Sequence, residues 1–305
     1  MSKTILVTGK NGQLGQSLQK IVNDDAQYDF TFVGRDQLDL ASPKSISDFF
    51  KNKQFDVIIN CAAYTAVDKA ESEPELADQI NHLAVKQLAD IAKANDSALI
   101  HISTDYVFDG QNHRPYIETD PVAPQGIYGA TKLKGEQACI SVNPKGALIR
   151  TSWVYSEFGN NFVKTMLRLG AERDSLNVIY DQVGSPTYAA DLASAILTMV
   201  DNSERNRSQV KLGNEGKHKG IEIYHYSNEG VCAWYDFAKA IFELSQTACQ
   251  VNPIETKDYP TPAKRPHYSL MNKAKIKTDF GLTIPYWRYS LIHCLTELKK
   301  QRAFL

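Results

Sequence analysis

Long apolar runs are missing from this 305-residue chain. No stretch approaches the roughly 18 residues that a membrane-spanning helix needs. The opening MSKTILVTGKNG holds an apolar run far too short for a secretory leader. Cysteine is sparse and unpatterned: the five (Cys61, Cys139, Cys232, Cys249, Cys294) are odd in number and form no C-x-x-C pair. That speaks against a disulfide frame or a zinc site and for reduced thiols in a cytoplasmic protein. An excess of one charge is missing too. The formal net charge is −1 and no dense Lys/Arg run occurs, so neither nucleic acid nor an acidic membrane has electrostatic support as a partner. Internal repeats and low-complexity segments are absent. What is present, 43% hydrophobic and 23% charged residues, is ordinary for a globular protein long enough for one large domain or two unequal ones.

The first half alternates short apolar runs with amphipathic stretches. KTILVTG, DFTFVGR, DVIINCAA, ALIHIST and GALIRTSWVY read as strands. Between them GQSLQKIVND, SPKSISDFFKNK, PELADQINHLAVKQLADIAKAND and IYGATKLKGEQACIS read as helices, with Ser42 an N-cap before Pro43. This predicts βαβ units and a doubly wound parallel sheet of Rossmann type, with ligands at the carboxyl ends of its strands. After about residue 155 the period loosens. The expected organisation is a dinucleotide-binding domain over 1–152, with segments near 188–225 returning to it. A smaller mixed α/β substrate lobe occupies most of 153–305.

VTGKNGQLGQSL sets Gly9, Gly12 and Gly15 between a strand and a helix. Gly9 allows a sharp turn, Gly12 a close backbone approach to a pyrophosphate, and Gly15 tight packing of helix on strand. Three glycines also make turns that bind nothing; the strand–loop–helix context favours the dinucleotide. At the end of the second strand Arg35 stands where an NAD-specific site usually has an acid, and a guanidinium accepts a 2′-phosphate. Asp36 and Asp39 oppose it, so the expectation is NADPH with NADH also accepted. Asp39 and Leu40 are placed at the adenine, one bonding its amine and one packing on its ring.

In IYGATKLKGEQ, Tyr128 and Lys132 lie one helical turn apart. Bringing a phenol from about 10 to neutral pH takes roughly 4 kcal/mol. An ammonium about 5 Å away supplies roughly 3 kcal/mol at an effective dielectric near 20. Lys132 is therefore able to tune Tyr128 as a general acid. A surface Lys beside a half-buried Tyr is the plainer account of the same spacing.

The glycine loop with a downstream Y-x-x-x-K resembles the extended short-chain dehydrogenase/reductases. The ordered blocks AAYTAVDKAESEPELA, STDYVFDG, YGATKLKGE, RTSWVY, GNNFVKTMLRL, DQVGSPTY and TPAKRPHYSLMN resemble the dTDP-4-dehydrorhamnose reductases, over about residues 4–290. The resemblance implies carbonyl reduction at C4 of a 4-keto-6-deoxyhexose on dTDP, within dTDP-rhamnose and surface polysaccharide synthesis. It implies that Asn11, Gly12, Gln13 and Leu14 form the phosphate loop, and that Ala62, Ala63 and Tyr64 line the cofactor channel beside Tyr128 and Lys132. Thr65, Val67, Thr104, Asp105 and Trp153 meet the sugar nucleotide. Thr104, Tyr128 and Lys132 carry the chemistry, with Ser103 beside them. Plainer roles exist for several: Thr104 as a cap, Asp105 as a turn residue, Trp153 as core, Asn160 or Asn161 as a helix cap. Gln182 sits in a loop near the nucleotide, and His101, inside a strand, reads as a core histidine with no role. Some relatives dimerise through a metal held by glutamates; Ser17 occupies one such position, so no metal is expected, and the chain is a monomer or homodimer.

Two other functions fit parts of the pattern. A sugar-nucleotide epimerase or dehydratase shares the loop and the Tyr/Lys pair, but dehydration typically uses an Asp-Glu pair after the Thr, and here Asp105-Tyr106 follows. A non-catalytic regulatory subunit resembling that of methionine adenosyltransferase would keep the loop and need none of Thr104, Tyr128, Lys132 and Trp153.

Overall fold

The computed structural model describes residues 2–22, 28–209 and 220–303. Strands β1 (Lys3–Thr8), β2 (Tyr28–Val33), β3 (Val57–Asn60), β4 (Ala98–Thr104) and β5 (Lys145–Thr151) come first. Four short strands follow: β6 (Val154–Tyr155), β7 (Ser175–Ile179), β8 (Val183–Gly184) and β9 (Thr187–Tyr188). Then comes β10 (Ile221–Tyr226). Six of these form one sheet in the order β10-β5-β4-β3-β1-β2, every pair parallel. All four residues of β3 are buried, as befits a central parallel strand covered on both faces.

Helices cover both faces. On one, α1 (Gln13–Ile21) and α8 (Ala189–Gln209) bury Leu14, Leu18, Leu192, Ile196 and Met199 against Ile5, Val7 and Ile59. On the other lie α2 (Pro43–Phe50), α5 (Ala84–Ala94) and α6 (Ile127–Val142), burying Ile46, Val85, Leu88 and Cys139 against Leu6, Ile58 and Leu148. Ser42 caps α2 as expected, accepting from the Ser45 N–H. The second half has its own core, built by α7 (Phe162–Glu172), α9 (Trp234–Ser245) and α11 (Trp287–Ala303), with Phe237, Ile241 and Leu291 fully buried.

Three elements depart from expectation, all near ligand-facing edges. The second strand stops at Val33, because the Gly34 carbonyl accepts from Gln37 and Leu38 in a turn that takes up Arg35. The fifth strand breaks after Thr151: Trp153 has φ +49°, a left-handed conformation that no strand continues through. The long helix from Pro74 is interrupted by a π turn at Gln79–Leu83.

Candidate active site

At the carboxyl end of β1 the chain turns at Gly9, with φ +72°. A Cβ there would stand 2.9 Å from the Ala62 nitrogen, and one at Gly15 would collide with the Gly9 carbonyl. The Gly12 N–H closes the turn on that carbonyl at 2.9 Å. Gly12 is also the N-cap of α1, and no side chain caps the helix. The first-turn N–H groups and the positive end of the helix dipole are thus left for an anion. A pyrophosphate fits this cradle.

The loop's side chains turn away from it. Leu14 is core and Asn11 is exposed. Gln13 crosses to the second half of the chain. Its Nε2 donates to the Val154 carbonyl at 3.2 Å, while its Oε1 accepts from Ser156 Oγ at 3.0 Å and Asn161 Nδ2 at 2.9 Å. Asn161 also caps α7, its Oδ1 accepting from the Lys164 N–H. Ser17 is buried and donates to the Gln13 carbonyl.

At the adenosine end the Arg35 side chain is 77% exposed, its Nε 3.4 Å from Asp39 Oδ1. That carboxylate oxygen also accepts from the Ala41 N–H at 2.9 Å. Lys10, absent from the sequence reading, donates to Gln37 Oε1 at 2.5 Å and lies 3.7 Å from Asp36. It is a second cation at the same edge. Leu40, expected at the adenine, is 5% exposed and lies in one core cluster with Leu6, Ile46 and Ile58.

After β3, Ala62 and Ala63 are half-buried, and the Ala62 N–H donates to Thr8 Oγ1 at 3.2 Å. Tyr64 is clamped by Asn81 of the π turn. Asn81 Oδ1 accepts from the Tyr64 N–H at 2.9 Å and its Nδ2 donates to the Tyr64 carbonyl at 3.1 Å. Asn81 Nδ2 also reaches Thr131 Oγ1 at 3.3 Å, beside Lys132. Such π turns often mark functional sites, and nothing in the helical periodicity reveals this one. The Tyr64 hydroxyl donates to Glu73, which pushes its pKa up to about 12.

Thr104 ends β4. Its hydroxyl accepts from the Tyr106 N–H at 3.2 Å and donates to Asp105 Oδ1 at 3.0 Å, so it does cap the following turn. Burial raises Tyr128 to about 12; the neighbouring Thr104 hydroxyl works against this and the Asp105 charge works with it. Asp105 is 2% exposed and is itself pushed up to about 6 by burial, against the hydrogen bond from Thr104. Lys132 is 1% exposed, and burial lowers it to about 8. Its ammonium donates to the Ile102 carbonyl at 2.6 Å and lies 3.4 Å from His101 Nε2.

Facing these groups, Thr65 is exposed and Val67 opens a short helix, α3 (Val67–Ala70). Within it Asp68 holds Arg265 at 2.8 Å and 3.0 Å. Trp153, half-buried, stacks on Trp234 with centroids 3.7 Å apart and planes at 13°. Phe162 lies 4.6 Å from Trp234. The sequence reading missed Trp234, because residues 81 positions apart meet only through the β8–β11 pairing, where β11 is Cys232–Ala233. Gln182 is buried and donates to Thr256 Oγ1. Among the described residues no cluster of three or more His, Cys, Asp or Glu side chains is placed to hold a metal, and no helix is long and apolar enough to cross a membrane.

Comparison with known proteins follows the same geometry. The family model described as RmlD substrate binding domain matches residues 3–300. The dTDP-4-dehydrorhamnose reductase of Aggregatibacter actinomycetemcomitans is 41% identical over 293 residues, covering 94% of this chain and 96% of that one. The structure of a dTDP-4-dehydrorhamnose reductase from Clostridium acetobutylicum superposes with a TM-score of 0.89 at 39% identity, over 97% and 99% of the two chains. That of the Bacillus anthracis reductase in complex with NADP gives 0.86 at 37% identity, over 97% and 100%. Matched over nearly its whole length in sequence and in fold, the chain belongs to the RmlD substrate-binding-domain family, the dTDP-4-dehydrorhamnose reductases.

Proposed function

We propose that this chain reduces the C4 carbonyl of dTDP-4-dehydro-6-deoxy-L-mannose (dTDP-4-dehydrorhamnose) to dTDP-L-rhamnose. NADPH is the preferred reductant and NADH is also accepted. Family membership supports the reaction. The observation that carries the residue roles is the placement of Tyr128 beside Thr104 and buried Asp105 at the end of β4, its ring centroid 5.4 Å from that of Tyr106. NADPH, held at the Gly9–Gly15 cradle, supplies the hydride.

The chain's own groups do the rest. Thr104 and Tyr128 offer hydroxyls to one carbonyl oxygen. A phenol held at about 12 keeps its proton at neutral pH, yet gives it to the far more basic alkoxide. Lys132, anchored by Ile102, turns its remaining hydrogens to the nicotinamide ribose. Trp153 forms an apolar wall for the deoxysugar, and Asp105, Thr65 and Val67 position the rest of the substrate. Residues 1–152, joined by the 188–225 region, serve the dinucleotide, and most of 153–305 serves the sugar nucleotide; the parallel pairing of β10 with β5 supports that division. The enzyme works in the cytoplasm as a monomer or homodimer, without nucleic acid or membrane partners.

Tyr128→Phe tests the reading. It should leave NADPH binding intact and lower kcat at least ~10²-fold, with dTDP-L-rhamnose as the wild-type product. Turnover at the wild-type rate would show that the proton comes from another group.

A further inference from the structure

His101 looks inert in the sequence, a histidine inside a strand. In the structure it is fully buried and touches Lys132. A chain of hydrogen bonds reaches it across the neighbouring strands of the sheet. The Ala62 N–H donates to Thr8 Oγ1 at 3.2 Å, the Thr8 hydroxyl donates to Asn60 Oδ1 at 2.6 Å, and Asn60 Nδ2 meets His101 Nδ1 at 3.0 Å. As placed, the Thr8 hydroxyl passes its own proton to the Asn60 oxygen, and the Asn60 amide nitrogen faces the ring. Nδ1 is then the acceptor, and the one proton of the neutral ring sits on Nε2, 3.4 Å from Lys132 Nζ.

An N–H opposite an ammonium is a clash of donors. Opposite a neutral amine it is a hydrogen bond. We propose that His101 is a positioning residue for Lys132, locked by Thr8 and Asn60 into the tautomer that bonds the free amine and so eases release of the Lys132 proton.

The surroundings agree. Burial and the Lys132 charge keep His101 neutral far below its ordinary range, so the ring does not titrate against the amine. The other groups facing Nζ are Glu136 and Cys139 on α6, and both favour the ammonium. Glu136 is held by Arg150 from β5 at 2.7 Å. Burial outweighs them and brings Lys132 down to about 8. His101 adds to burial from the opposite side.

The inference rests on Lys132 serving the cofactor, and the test separates the two ideas. The Kd of NADPH is measured by protein fluorescence from pH 6 to 10, alongside the pH profile of kcat/KM. In the wild type both should weaken on the alkaline side as Lys132 loses its proton. His101→Asn keeps a group near Nδ1 for Asn60 but offers nothing at Nε2. His101→Gln can turn its carbonyl oxygen to the ammonium. Both should move the alkaline limb up, Asn by about one pH unit, the scale of one buried hydrogen bond, and Gln by more. A lower melting temperature alone, with the limb unmoved in both variants, would make His101 merely structural and overturn the proposal. A downward shift would also overturn it, since His101 would then be accepting from the ammonium. Absence of any alkaline limb in wild-type NADPH binding would instead remove the role given to Lys132.

Discussion

Trp234→Ala removes the side chain that stacks on the proposed substrate wall, Trp153, and it should damage substrate binding. Trp153 carries a backbone φ of +49°, and a bulky residue in that region stores about 1–3 kcal/mol. Packing must hold it there. Its indole stacks on Trp234 at 3.7 Å and 13°, and such a pair contributes about 0.5–1.5 kcal/mol beyond the burial of its area. The stack and the strain are of similar size, so Trp153 without Trp234 loses a contact that offsets the strain. A loss of about 0.5–1.5 kcal/mol in substrate binding corresponds to a roughly 2- to 13-fold rise in KM. The assay is KM for the sugar nucleotide at saturating NADPH, with NADPH Kd measured in parallel. Kd should stay nearly unchanged, because Trp234 lies in the second-half core. A double-mutant cycle closes the argument: in a Trp153→Ala background, Trp234→Ala should change KM little further. Additive effects on KM, or a wild-type KM in Trp234→Ala, would refute the claim that the stack holds the wall.

Two further expectations concern charge. Arg35→Ala should raise the KM for NADPH about tenfold or more and hardly change that for NADH, since a charge-assisted bond to a 2′-phosphate contributes about 1.5–3 kcal/mol. The exposed pair with Asp39 that is lost along with it contributes at most about 1 kcal/mol to stability, so the melting temperature should barely move, and equal effects on both cofactors would count against the phosphate contact. Asp105 is raised to about 6 against an ordinary value of 3.8, so the folded state holds this proton more tightly than the unfolded chain. Its favourable contribution is complete below pH 4 and is lost as pH rises through 6. Above that the ionised carboxylate costs up to about 3 kcal/mol. Asp105→Asn should therefore be more stable than wild type at pH 7.5, the two converging near pH 4 in thermal melts; a variant less stable at pH 7.5 would contradict this.

Much of this was legible in the sequence because it is local. The glycine loop, the Ser42 cap and the run of parallel strands each depend on neighbours within a few residues. So does the closeness of Thr104 and Asp105 to each other. The features that stayed hidden depend on distant partners or on single dihedrals. Trp234 reaches Trp153 across two short strands. The π turn that presents Asn81 lies within an ordinary helical pattern. Lys132 is one turn from Tyr128, as the spacing says, but spacing does not say where an ammonium points, and the Ile102 carbonyl captures it. Gln13 shows the same limit: a place in the glycine loop does not reveal that its side chain crosses to Val154, Ser156 and Asn161.

The placement of β10 has a consequence for biosynthesis. The six-stranded sheet has five of its strands by Thr151, but the strand that covers β5 ends only at Tyr226. On a ribosome adding about 5–20 residues per second, that gap lasts roughly 4–15 s. Through it the nascent chain presents the β5 backbone, ALIRT, as an unpaired apolar edge of the kind that recruits other strands. The interval between these two strands, rather than the stability of the finished enzyme, sets when this protein most needs a chaperone.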